Sequence, residues 1–93
     1  MTPAQMELAR HALGLPTAAR RSYRNRYFAS AGGATYDLWM QMVAAGEAVR
    51  GDVQARTQRS GSIYFELTRQ GAEAALLPGE TLCPEDFPPE DGR

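Results

Sequence analysis

In the stretch "RRSYRNRYFA" at 20–29, Arg20, Arg21, Arg24 and Arg26 are interleaved with Tyr23, Tyr27 and Phe28, and Asn25 stands at the centre. Guanidinium groups grip phosphate oxygens in a fork, and aromatic rings stack on bases, so this order of residue types suits contact with a nucleic acid. In that reading the arginines meet phosphates and Asn25 is a candidate base contact. Arg56 and Arg59 in "QARTQRS" at 54–60 extend the same chemistry to a second segment. The opposing reading packs Tyr23, Tyr27 and Phe28 into the core and leaves the arginines to pair with Glu7, Glu47 or Glu66, since aromatic side chains dominate the cores of small domains.

No other constellation suggests catalysis. His11 is the only histidine, and Glu7 four residues before it makes an ordinary helix-surface pair rather than an acid–base couple. The single Cys83 has no partner thiol, so neither a disulfide nor a cysteine-based zinc site is expected. The acids at 85, 86, 90 and 91 lack the glycine-turned loop of a calcium site. "AGGA" at 31–34 is too short for a phosphate loop and is not followed by Lys-Ser or Lys-Thr. The expectation is a non-enzymatic protein without metal or cofactor. No run of about eighteen apolar residues occurs, and no basic stretch followed by an apolar one opens the chain, so a soluble cytoplasmic protein without a membrane partner is expected.

Charge is divided unevenly along a chain that is nearly neutral as a whole. Residues 10–59 hold eight arginines against Asp37, Glu47 and Asp52, whereas residues 78–93 hold five acids against Arg93. Every cationic side chain is Arg, which a GC-rich genome accounts for most simply. With 93 residues, 43% of them hydrophobic, the chain is expected to form one α+β domain over 1–77, followed by a flexible Pro-rich acidic tail over 78–93.

Helical spacing and end signals organise that domain. Thr2, Pro3 and Gln5 form a capping start, Met6, Ala9 and Leu13 repeat at helical spacing, and Gly14 stops the helix at about 13. Residues 17–34 separate apolar from charged positions cleanly in neither period. A short helix followed by a loop through "SAGG" at 30–33 is expected there. The segment Thr35–Gly46 predicts a helix capped by Thr35, with Trp39, Met42 and Val43 on its buried side. After Gly46 the period becomes two: a strand beginning at Ala48 and "SIYFEL" at 62–67 make a hairpin with Arg56 and Arg59 near its tip. Thr68 then caps a third helix, with Ala72, Ala75 and Leu76 facing inward and Pro78-Gly79 as its stop.

The order from "MVAAGEAV" through the hairpin to "YFELTRQGAEAAL" is similar to the second half of winged-helix proteins, over about residues 35–77. In those, a helix ends in an apolar–small–Gly step, two strands flank a wing, and a Leu-Thr-x-x-Gly turn opens the next helix. "RHALGL" at 10–15 with "YRNRYFA" at 23–29 resembles small proteins encoded by bacteriophages and prophages. The resemblance implies a winged-helix-like domain of about three helices with a two-stranded wing. It implies no activity; the arginine-rich segments point to DNA or RNA as partners, with a phage or host protein as the alternative. Between Thr35 and Gly46 the polar groups are few, chiefly Asp37, Gln41 and Tyr36, with no Arg, so nucleic-acid contact is expected from the 20–26 segment and the wing, mainly through phosphates.

Overall fold

A computed structural model describes residues 1–30, 32–51 and 62–88. Helix α1 spans Pro3–Leu13, strand β1 Tyr27–Ser30, helix α2 Ala34–Ala44, strand β2 Ala48–Gly51, strand β3 Ser62–Leu67 and helix α3 Arg69–Ala74. The fold is α+β, with these three helices and one antiparallel sheet in the order β1-β3-β2.

The capping box at Thr2 and Gln5 forms as its spacing predicts, and Gly14 closes α1 in the left-handed conformation at φ 80°. Helix α2 differs at its start. Gly33 is its N-cap and no side chain caps it, so Thr35 lies inside the helix. The apolar stripe of α2 does what its period demands: Trp39 and Met42 are fully buried, and the Trp39 ring stacks on Phe65 of β3 at 5.3 Å between centroids.

The short helix expected within 17–34 is absent among the described residues, and β1 stands at its end. The segment obeys a period of two: Tyr27 faces Trp39 at 5.4 Å and Ala29 is buried, while Phe28 and Ser30 point outward. Between Ser22 and Arg26 the backbone bonds to neighbouring segments. The N–H groups of Tyr23 and Arg26 donate to the carbonyls of Leu13 and Ala12, and that of Ser22 donates to Thr81.

Strands β2 and β3 pair antiparallel, with Ala48 opposite Leu67 and Val49 opposite Glu66. The expected hairpin tip, with Arg56 and Arg59, lies outside the described residues. At the far end of β3 the sequence "LTRQG" builds a corner. Thr68 Oγ1 accepts from the Gly71 N–H at 3.1 Å and donates to the Gly46 carbonyl at 2.8 Å, while the Thr68 N–H reaches the Glu47 carbonyl at 3.0 Å. Gly71 lies so close to Glu47 that a Cβ would overlap its carbonyl oxygen. The motif therefore ties the exit of α2 to the entrance of α3.

The segment from Pro78, expected as a flexible tail, is described as far as residue 88. Residues 78–88 run back across the domain and pack. Thr81 bridges to the 20–22 segment, the Cys83 N–H donates to Ser22 Oγ at 2.9 Å, and Phe87 is buried. Residues 89–93 lie outside the described part. Among the described residues no helix is long and apolar enough to cross a membrane.

Candidate nucleic-acid interface

The 20–26 segment is held open by contacts on both sides. The Arg20 N–H donates to the Thr17 carbonyl and the Arg20 carbonyl accepts from Thr81, while Thr17 Oγ1 both accepts from and donates to the Arg21 main chain. Ser22, almost fully buried, anchors the segment to Cys83. These bonds occupy the backbone and leave the side chains of Arg20, Arg21 and Arg26 exposed.

The arginines do not converge as one cluster. The Arg20 guanidinium lies by Gly79 and near Glu80, and Arg21 stands exposed beside Thr81. Arg24 donates twice to the His11 carbonyl, at 3.2 and 2.7 Å, so it caps the last turn of α1, and its guanidinium lies 5.3 Å from the Tyr23 ring centroid. Arg24 and Arg26 together line a surface groove of about 490 Å³ with Tyr23, Tyr64 and Glu66, and also an adjoining depression of about 330 Å³ with His11 and Phe28. They form the ridge between the two. Arg56 and Arg59 cannot be placed on this surface, since they lie outside the described residues.

Asn25, the expected base contact, is tied to β3 by its side chain. Its Nδ2 donates to the Leu67 carbonyl at 3.1 Å and its Oδ1 accepts from the Leu67 N–H at 2.9 Å. Each end of the amide thus makes one bond to the end of β3.

The expected pairing of these arginines with Glu7, Glu47 or Glu66 is not found. Among the described residues the side-chain ion pairs are Arg10–Glu80 and Arg69–Glu73, neither of which involves the 20–26 segment. The core reading of the aromatics holds for one residue of three: Tyr27 is half-buried, whereas Tyr23 is 62% and Phe28 45% exposed.

Tyr64, which alternation in "SIYFEL" sets on β3 opposite Phe65, is half-buried and adjoins the exposed ring of Phe28. Its ring lies 5.5 Å from that of Phe28 and leans over Gly51 of β2, where any Cβ would collide with it. The Tyr64 hydroxyl donates to Glu66 at 2.5 Å. Partial burial and this carboxylate acceptor push the Tyr64 pKa up to about 12, so the ring is neutral at any ordinary pH. Phe28, Tyr64 and Glu66 lie on the sheet face opposite the helices, because their neighbours Tyr27, Phe65 and Leu67 point into the core.

A second charged feature comes from the 78–88 segment. Arg10 makes a two-pronged pair with Glu80, at 2.5 and 2.8 Å, and also donates to the Ala75 carbonyl at 3.0 Å. Hydrogen bonding from Arg10, helped by the Leu77 N–H, lowers the Glu80 pKa to about 2. This pair is structural: it clamps α1 to the segment after α3. His11 packs its ring edge-on against Tyr27 at 5.3 Å, and no group of three or more His, Cys, Asp or Glu side chains that could hold a metal gathers among the described residues.

Comparison of the chain with protein families, with curated proteins and with solved structures finds no match. The surface is therefore read from its own geometry.

Proposed function

We propose that this protein is a non-enzymatic nucleic-acid-binding module whose contact surface is the ridge of Arg24 and Arg26, flanked by Arg21 and by exposed aromatic rings. The observation that carries this reading is the exposure of Tyr23 and Phe28 on either side of two arginines that have no ion-pair partner among the described residues. Large rings left in water beside guanidinium groups match a partner that offers both flat apolar faces and negative charge.

A winged-helix-like scaffold is the finer description we propose for the fold. It is supported by the sheet order β1-β3-β2, with α1 ahead of the sheet and the antiparallel pair β2 and β3 following α2. Helix α2 follows a strand instead of a supporting helix and presents the exposed acid Asp37, so the surface engages phosphates without a recognition helix in the major groove. The experiment is a titration against short DNA at two salt concentrations with an Arg21→Ala/Arg26→Ala variant, whose backbone bonds are untouched. Salt-sensitive binding that weakens in the variant is the expected result.

A second reading, a protein-interaction adaptor, is favoured by one observation. Leu67 turns its N–H and C=O toward Asn25, so by strand alternation Tyr27 and Ala29 bond to β3 and the Phe28 main chain points out from the sheet edge. Such an edge accepts an added strand.

A further inference from the structure

Phe28, exposed, and Tyr64, half-buried, lie on the open face of the sheet, and that position discriminates between kinds of nucleic acid. Resting on the nucleic-acid reading above, we infer that the ligand is single-stranded, with bases stacked on Phe28 and Tyr64 and its phosphates following Arg24 and Arg26.

Base pairs in a duplex hide their faces from one another, so an aromatic ring on a protein surface stacks only on bases that are already unpaired. Phe28 and Tyr64 sit side by side on neighbouring strands, 5.5 Å apart, and both turn away from the helices. Gly51 makes the surface low on its far side: with no side chain opposite Tyr64, the ring can lean across β2 instead of standing between two neighbours. The hydroxyl is held by Glu66, which fixes the ring. A pair of rings fixed in this way offers stacking area with little side-chain entropy left to lose on binding.

Charge complements the rings on one side only. Arg24 and Arg26 border both the groove beside Tyr64 and the depression beside Phe28, so a strand crossing the rings keeps its backbone near the same two guanidiniums. Glu66 lies within the groove and Asp86 borders it. Those carboxylates leave a surface that is not uniformly basic, which disfavours a duplex carrying phosphates on both strands and suits one strand laid with its phosphates along the arginine ridge.

The test is fluorescence anisotropy of the whole chain with a labelled mixed-sequence DNA of about 12 nucleotides, within the usual footprint of a single-strand site, and with the same sequence as a duplex. Tighter binding of the single strand is expected. Phe28→Ala should weaken it about 5- to 150-fold, the size of one lost base–aromatic stack, Phe28→Trp should restore it, and duplex binding should not change. In the unaltered protein, the ring protons of Phe28 and Tyr64 should shift upfield in NMR spectra on addition of the single strand, a readout that does not depend on how any variant folds. Equal or tighter duplex binding, or unshifted ring protons at saturation, overturns the stacking inference while leaving salt-sensitive phosphate binding in place. Binding of neither DNA removes the nucleic-acid reading itself and directs attention to an extended peptide at the β1 edge.

Discussion

Asn25 stands opposite Leu67 in the continued register of β1 and β3, and its side-chain amide exchanges with the Leu67 main chain the two hydrogen bonds that a strand residue would make with its backbone. The Asn25 side chain thereby lengthens the ladder by one rung while the chain itself turns away to bond α1. Asn25→Ala leaves a part-buried N–H and C=O without partners and should cost about 1–3 kcal/mol in chemical denaturation. Its effect on nucleic-acid affinity, measured where the variant is fully folded, should be small.

The "LTRQG" corner makes a second, sharper prediction. Gly71→Ala forces a methyl group into the Glu47 carbonyl, which is backbone and cannot swing aside, and should destabilise by about 2–4 kcal/mol. Thr68→Ala loses the cap to Gly71 and the bond to Gly46 and should cost about 1–2 kcal/mol. Thermal melts of the two variants rank them in that order.

The Arg10–Glu80 clamp predicts a pH dependence. Folding lowers the Glu80 pKa from its ordinary 4.5 to about 2, so the carboxylate stabilises the fold fully above pH 4.5 and loses that contribution as pH falls from 4.5 toward 2. Glu80→Gln should be less stable than the unaltered protein at pH 7, and the gap should shrink across that acid window. A gap that stays constant from pH 6 to pH 2.5 would show that the pair does not carry the effect.

Trp39 is fully buried, and its Nε1 has no hydrogen-bond partner among the described residues. Its indole also stacks on Phe65, so shortening it to Ala should cost about 3–5 kcal/mol, as for other large core residues. Trp39→Phe removes the orphaned N–H along with part of the ring. That variant should lose much less stability than Trp39→Ala in the same denaturation series.

Helices α1 and α2 and the β3–α3 corner were legible because local signals agree there: a capping box, a left-handed glycine, a 3.6-residue apolar stripe and Thr68 before α3. The 17–34 region was not, for reasons that bear on function. A strand reading sets Tyr23, Asn25 and Tyr27 against Arg24, Arg26 and Phe28, which matches the two sides seen in the structure from Arg24 to Phe28 but not at Tyr23, which is exposed, and an aromatic ring on the charged side and an amide on the apolar side obscure the pattern. Asn25 is explained by its bonds to Leu67, and Phe28 by its place on an exposed surface. Tyr64 carried a usable signal, since alternation in "SIYFEL" opposes it to Ile63 and Phe65 and hence to the core. The packing of Glu80 and Phe87 could not be read, because a Pro-rich acidic segment has no period, and its partners Arg10 and Ser22 are about sixty to seventy residues away in the chain.

The central claim is that arginines of the 20–26 segment contact phosphates. The measurement that tests it most directly is the salt dependence of DNA binding, read as the slope of log affinity against log salt for the unaltered chain and for Arg21→Ala/Arg26→Ala. Each phosphate contact to a single strand contributes about 0.7 to that slope, so the double variant, which removes Arg26 from the ridge, should bind more weakly with a slope shallower by at least about 0.7. An unchanged slope in a folded variant, or no binding at low salt, would contradict the account.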